Sequence, residues 1–359
     1  MSEGLPGSGS GTTSSGTGRR LSYRDAGVDR DAASAAKRGI LDLIATTSRP
    51  EVLSEPGGFG GLFRVPAGYE RPVLVASADG VGTKLKVAQR AGRHDTVGRD
   101  LVNHCVNDIL AEGARPLFFL DYIGMGRLEP GVVDAVVAGV ATGCRENGCA
   151  LLGGETAEMP DFYAPGEYDL AGFVVGAVED AARLGAARVV PGDALIGLAS
   201  NGFHTNGYSL LRKLLFERLG LDLDDMFPDL TASVGDVLLR VHRSYLEAVA
   251  PLVDEGIVRA LAHITGGGLP ENLARALPPG VEARVDTAAW TVPDEFLSVE
   301  RHGGIDAAEM FRTFNMGIGL VLIVGEDVAA DVVERLSRGG ETAWRIGSVA
   351  GGDRGVVLE

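Results

Sequence analysis

Apolar residues recur along this chain at two periods, and the switching between them predicts alternating helices and strands. Between Arg99 and Glu112, Val102, Cys105, Val106, Ile109 and Leu110 fall at helical spacing. So do Val133, Val136, Val137, Val140 and Cys144 between Pro130 and Asn147, where Gly148 supplies the stop. Short apolar runs bounded by turn residues predict strands at Leu62–Val65, Val73–Ala78, Leu117–Tyr122, Cys149–Leu152 and Asp169–Val178. The breaker Pro191-Gly192-Asp193 opens a second unit. Its pattern predicts a strand at Ala194–Ala199 and helices at Ser209–Leu219, around Asp236–Val249 and at Leu269–Leu277. A strand at Gly317–Val324 and a final helix and strand follow. The expectation is an α/β (α+β) chain of two domains, 21–184 and 185–359, behind a disordered Gly/Ser/Thr-rich tail at 1–20.

The helix Arg99–Glu112 carries Asp100, Asn103, His104, Asn107 and Asp108 opposite its apolar stripe. A solvated face is ordinarily built from Lys and Glu, whereas short side chains that hydrogen-bond locally are poorer helix formers. That stripe is expected to face a site. The segment Ser22–Asp31 reads as an exposed arm, and Gly57-Gly58-Phe59-Gly60-Gly61 as a flexible hairpin or lid.

Composition narrows the function classes. A formal net charge of -16 argues against a general nucleic-acid or anionic-membrane binder, because counterion release needs a basic surface, while leaving room for a local basic pocket for a small phosphorylated ligand. Cys105, Cys144 and Cys149 form neither an even set nor a CxxC pair, which suits a reduced, cytoplasmic protein. The tail lacks the apolar stretch of a signal peptide, and the longest apolar run, Met316–Val324, is too short to span a bilayer.

Three segments carry candidate chemistry: Leu74–Lys84 (LVASADGVGTK), Cys105–Asp108 and Gly153–Glu158 (GGETAE). Each joins an apolar element to carboxylates, glycines or a lysine, a combination suited to a magnesium-bound triphosphate. The spacing is not that of a Walker A loop. Taken alone, DGVGTK reads equally well as a turn after a strand. His204 and His263 suit acid–base work near neutrality, although a lone loop histidine is more often an ordinary hydrogen-bonding residue. Thr265-Gly266-Gly267-Gly268 precedes a helix whose N-terminal N–H groups suit a phosphate; the plainer reading is a flexible helix entry.

Taken in order, SYRDAGVD at 22–29, DGVGTKL at 79–85, CVNDILAEGARPLFFLDY at 105–122, GGETAEMP at 153–160, HTNGYSL at 204–210, AHITGGGLPENL at 262–273 and RTFNMGIG at 312–319 resemble the phosphoribosylformylglycinamidine cyclo-ligase (aminoimidazole ribonucleotide synthetase) family. The resemblance covers nearly the whole chain from Ser22 to Glu359. It implies ATP-driven ring closure of formylglycinamidine ribonucleotide, a small phosphoribosyl substrate, to 5-aminoimidazole ribonucleotide in purine biosynthesis. It also implies a homodimer in which strands of the first domains build a shared barrel, with the second domain a mixed sheet flanked by helices.

For a reaction that phosphorylates the formyl oxygen, charge neutralisation and in-line positioning matter most. On the resembling motifs, Asp79, Asp108 and Glu155 are expected to ligate Mg²⁺, with Glu158 and Asp161 as weaker candidates; a monovalent cation is left open. Lys84, Gly80, Gly82, Thr83, Asn107 and Gly154 are expected to hold ATP phosphates. Thr265, Gly266, Gly267, Gly268, Arg312 and Asn315 are expected at the substrate phosphate, and His204, His263 and Lys84 as catalytic groups. His94, His242 and His302 receive no role.

Two positions depart from the family pattern. Ala33 stands where the arm has a second glycine, and Asp161 replaces the glycine of GGETAEMPGxY, adding a charge. Sibling enzymes of the same fold are disfavoured by other features. No cysteine precedes Cys105, the chain ends in Leu358-Glu359, and RTFNMGIG occurs together with AHITGGGLPENL. A catalytically silent nucleotide-binding scaffold would be expected to lose the carboxylates or His204, which are present.

Overall fold

Residues 39–55 and 57–359 are described in the computed structural model. The expected tail at 1–20, the arm at 22–31 and Ala33 lie outside them.

The first half is one four-stranded sheet covered by helices on a single face. Its strands β1 (Pro72–Gly80), β2 (Arg115–Met125), β3 (Ala150–Glu158) and β4 (Tyr168–Glu179) are ordered β1-β4-β2-β3. β4 pairs antiparallel with β1 and β2, and β3 runs parallel to β2. A short helix α1 (39–45) precedes the sheet, and α2 (Lys84–Ala91), α3 (Asp95–Leu110) and α4 (Pro130–Glu146) follow. Strand parity sorts the side chains: Val174 and Phe119 turn inward and are fully buried. On the opposite face Leu74 is 60% and Phe173 43% exposed, with Phe118, Leu120 and Tyr122 half-buried beside them.

Glycine sets the distance between α3 and α4. A Cβ on Gly98 would lie 2.2 Å from the Val136 carbonyl oxygen, and one on Gly139 2.0 Å from that of Asp95. The two backbones touch where neither residue has a side chain, a close approach only glycine permits.

The second half is a six-stranded sheet built from β5 (Ala194–Ala199), β6 (Val258–His263), β7 (Val281–Val285), β8 (Ile318–Val324), β9 (Ala343–Gly351) and β10 (Gly355–Leu358), in the order β10-β7-β9-β5-β8-β6. Every residue of β8 is buried because both faces are covered. Leu320 and Leu322 pack into the larger core with α7 (Leu246–Asp254) and the helix Ala329–Arg338, whereas Val321 and Ile323 pack on the other side against α8 (Gly268–Arg275). The larger core runs on into the first half, so the two sheets share apolar packing.

Several expectations need correction. Leu62–Val65 forms no strand, only a single bridge between Val52 and Phe63. Gly153, Gly154 and Glu155 lie within β3 rather than after it. The helix expected at Ser209–Leu219 is α5 (Tyr208–Arg212) followed by a π-turn, Lys213–Arg218. The helix expected around Asp236–Val249 is two, α6 (Val234–Leu238) and α7, separated by residues 239–245. That break places His242 and Arg240 in the seam between the halves.

Candidate active site

The polar stripe of α3 faces the second half of the chain. Asp100 and Asn107 are fully buried, and Asn103 and His104 nearly so. Asn103 donates to the His242 carbonyl at 2.7 Å, and the Asn107 amide donates to the Arg243 carbonyl at 2.8 Å and accepts from the Tyr245 N–H at 3.0 Å. These side chains hydrogen-bond to residues 239–245 where that segment leaves its backbone groups outside a helix or ladder. Asn107 is committed to the protein and is not disposed to hold a phosphate.

Lys84 also departs from expectation. Its ammonium is fully buried, 2.8 Å from Asp100 Oδ2, and donates to the carbonyls of Arg240 at 2.6 Å and His204 at 3.2 Å. Two of its N–H donors are taken by carbonyls, and its charge is answered by the Asp100 carboxylate. Burial pulls its pKa down and that of Asp100 up, and the pairing opposes both. Lys84 joins the halves and presents no free charge to a nucleotide.

At the seam, four of the chain's six histidines converge. His104 Nε2 lies 2.7 Å from Asp79 Oδ2, and its Nδ1 2.8 Å from the Thr205 hydroxyl. Thr205 meets His242 Nδ1 at 3.3 Å, His242 Nε2 meets His263 Nε2 at 3.1 Å, and His263 Nδ1 meets Asp108 Oδ1 at 2.8 Å. A continuous chain thus joins Asp79 to Asp108. The ionised carboxylates at its two ends accept, Asp108 from His263 Nδ1 and Asp79 from His104 Nε2. Between them His242 Nε2 has two neighbours, His263 and the Asn107 amide nitrogen at 3.3 Å.

The local electrostatics agree. Burial lowers the His104 pKa, but the hydrogen bond and charge of Asp79 outweigh it and raise the net value. Burial also dominates at His242 and His263, which are lowered and neutral. Burial raises Asp79 and Asp108, yet hydrogen bonds from His104 and His263 and the neighbouring positive charge bring both below the ordinary range. Gly80 N–H donates to Asp79 at 2.7 Å and the Ser77 hydroxyl to Asp108 at 3.1 Å.

His204 stands apart from the chain. It stacks on His242 with ring centroids 4.1 Å apart, is almost wholly buried, and neither ring nitrogen has a hydrogen-bond partner. Its φ of 57° is a left-handed conformation unusual for a side-chain-bearing residue. Burial, then nearby cationic groups, holds it neutral. Asn206, two residues on, has a buried amide nitrogen that is likewise unpartnered.

Asp79, Asp108, His263 and Thr265 line one cleft of about 550 Å³ between the halves. Glu155 does not join them. It pairs with Tyr122 in the β2–β3 ladder, three strands from β1, roughly 14 Å across the sheet. It lines a second cavity of about 710 Å³, with Gly154, Phe173 and the turn Gly57–Gly61. Beneath Gly154 lies Asp121, whose buried Oδ2 has no partner and whose pKa burial pushes up to about 7. A Cβ at Gly154 would fall 1.6 Å from Asp121 Oδ1, so glycine there makes room for that carboxyl.

The remaining expected residues divide. Gly82 and Thr83 are exposed ahead of α2, and Thr83 bridges to the Ser209 hydroxyl at 3.0 Å. Gly267 and Gly268 have φ values of 91° and 60°, and Gly268 sits where a Cβ would meet the Phe311 carbonyl oxygen at 1.8 Å. Asn315 is buried, donating to the Gly202 carbonyl at 2.9 Å and accepting from Ser200 at 2.8 Å, which gives it a structural place rather than one at a phosphate. Arg312 is solvent-exposed and lies 4.0 Å from Glu271. Glu158 accepts from the Leu128 N–H at 2.8 Å. Asp161, in place of the family's glycine, has a φ of 66°, the conformation glycine would adopt without strain. His242, given no role from sequence, is central here; nothing in its local pattern marked it, because its partners lie on α3 and β6.

Comparison with known proteins gives a consistent picture. Residues 62–178 match the family model described as AIR synthase related protein, N-terminal domain, and residues 190–358 the corresponding C-terminal domain. A phosphoribosylformylglycinamidine cyclo-ligase of Geotalea daltonii is 52% identical over 337 residues, covering 94% of this chain and 97% of its own length. One of Xanthomonas euvesicatoria pv. vesicatoria is 51% identical over 342 residues, covering 94% and 100%. Among solved structures, thiamine-monophosphate kinase from Stenotrophomonas maltophilia superposes with a TM-score of 0.68 at 20% identity, over 89% of this chain and 96% of that one. The hydrogenase maturation protein HypE in complex with ATP gives 0.65 at 21%, over 90% and 91%. These two likenesses show the fold.

Proposed function

The chain belongs to the phosphoribosylformylglycinamidine cyclo-ligase family, and on that premise we propose that it closes formylglycinamidine ribonucleotide to 5-aminoimidazole ribonucleotide, converting ATP to ADP and phosphate. The observation that carries the reading is the cleft in which Asp79, Asp108 and His263 stand together at the ends of one hydrogen-bond chain.

An amide-like oxygen is a poor leaving group. The formyl oxygen attacks the γ-phosphorus of ATP, ADP departs, and the oxygen becomes part of a phosphate ester. The amidine nitrogen then attacks the activated carbon, phosphate leaves with the original oxygen, and a proton is lost as the ring becomes aromatic. His263, which lines the cleft beside Asp108, is the base proposed for that proton, and His204, whose ring nitrogens are buried against His242 outside the cleft lining, is the second candidate.

Asp79 and Asp108 fit a hard divalent cation: both are held ionised and both border the cleft. Bound Mg²⁺ would neutralise the phosphate charge that builds up on transfer. Glu155 lies too far away within one chain, so we assign it to a metal shared with a second copy. The bare apolar face of the first sheet, carrying Leu74 and Phe173, supports a homodimer joined there. No helix among the described residues is long and apolar enough to cross a membrane, and a cytoplasmic location is the reading that suits this activity.

The test is turnover of purified protein with ATP, Mg²⁺ and formylglycinamidine ribonucleotide, following aminoimidazole ribonucleotide and ADP together. Equal, substrate-dependent yields are expected. ADP formation without the aminoimidazole product, or neither product, would overturn the assignment.

A further inference from the structure

One guanidinium lines the cleft, and among the described residues it meets no carboxylate. Arg275 ends α8 and is exposed. Its Nη1 donates to Asn272 Oδ1 at 3.4 Å, a loose tether that leaves Nε and Nη2 free. Asn272 is itself rigidly held. It is 4% exposed, and its amide nitrogen donates to the carbonyls of Gly268 at 2.9 Å, Gly266 at 3.0 Å and Thr265 at 3.3 Å. Its oxygen also accepts from the Thr265 hydroxyl at 3.2 Å.

The spacing of three residues places Asn272 and Arg275 on the same side of α8. Leu269 and Leu273, fully buried, anchor the helix along the stripe next to Asn272. Thr265, Asn272 and Arg275 therefore form a prearranged group facing the cleft, with Asn272 as the post to which the other two are tied. The opposite wall carries Asp79, Asp108 and Glu112. A cleft divided in this way takes a molecule with an anion at one end, and a planar guanidinium with a free edge suits a phosphate.

We infer that Arg275, steadied by Asn272 beside Thr265, binds the 5′-phosphate of the phosphoribosyl substrate. The inference rests on the cyclo-ligase reading and moves the anchoring charge from Arg312, which lies outside this cleft, to α8.

The experiment compares the full-length wild type, Arg275→Gln and Arg275→Lys in steady-state kinetics with formylglycinamidine ribonucleotide and with its dephosphorylated riboside. A calorimetric titration with ribose 5-phosphate runs in parallel. Arg275→Gln is expected to raise KM for the ribonucleotide at least about tenfold, with kcat within about threefold and KM for ATP unchanged. Arg275→Lys recovers part of the loss. The kcat/KM for the riboside is the same in wild type and Arg275→Gln, because the interaction is absent from that substrate. Ribose 5-phosphate binds the Arg275→Gln variant at least about tenfold more weakly than wild type.

Equal losses with both substrates would mean a structural role, a raised KM for ATP would give the arginine to the nucleotide, and unchanged kinetics would remove it from the site. Each overturns the inference. If the wild type fails to turn over, the cyclo-ligase reading falls, and the ribose 5-phosphate titration still decides whether Arg275 holds a sugar phosphate.

Discussion

Lys84 Nζ lies 2.8 Å from Asp100 Oδ2 with both side chains fully buried, and the same ammonium donates to two carbonyls of the second half. A residue whose motif suggests a phosphate ligand is thus a joint between two sheets.

Lys84→Met should act on stability. Removing one member of a buried pair leaves the other charge unanswered, at a cost of about 3–5 kcal/mol. Urea unfolding should show the loss directly, with KM for ATP of the folded protein changing less than about threefold. A large rise in KM at unchanged stability would return Lys84 to the nucleotide.

Asp108→Asn should act on metal dependence. The amide keeps the size of the side chain and removes its charge, so the Mg²⁺ concentration giving half-maximal turnover should rise at least about tenfold. Far-UV circular dichroism should show an intact fold. Near-normal Mg²⁺ dependence would remove Asp108 from the metal site.

Asp121 gives the stability curve a slope. Its folded pKa, raised by burial to about 7, lies above its unfolded value, so the folded chain binds the proton more tightly. Stability is greatest below the unfolded pKa and falls as pH rises toward the folded one, by up to about 4 kcal/mol in all. Asp121→Asn should leave stability little changed below about pH 4 and improve it progressively from there to about pH 7. Parallel pH curves for the two proteins would show that this carboxyl is not the source.

Phe173→Asp should separate the proposed dimer. The exposed aromatic lies at the middle of the bare face, and a charge there opposes apolar association. Sedimentation velocity should show a dimer for the wild type and a monomer for the variant. A monomeric wild type would end the proposal.

Much of the fold was legible because its signals are local. β5 was predicted to the residue, since Pro191-Gly192-Asp193 marks its entry and Ala194–Ala199 is an unbroken apolar run. α4 was nearly so, bounded by Pro130 and Gly148. The break between α6 and α7 was not legible, because its apolar spacing continues while hydrogen bonds from Asp100, Asn103 and Asn107, distant in sequence, hold it open. For the same reason the motifs marked Asp79, Asp108 and His263 but not their link through His242. Motif membership also placed Lys84, Asn107 and Asn315 at ligands, where burial places them in the framework. Residue type alone does not distinguish a polar group that meets a substrate from one that meets a neighbouring backbone.

The chain of imidazoles is owned jointly: His104 lies on α3, whereas Thr205, His242 and His263 belong to the second half. The two halves are consequently not exchangeable parts. A hybrid joining the first half of one relative to the second half of another could keep both cores intact and still misalign this centre, because the donors and acceptors on either side must be matched in position and proton count. Recombination among such genes is limited less by the packing within each half than by the few side chains at the seam.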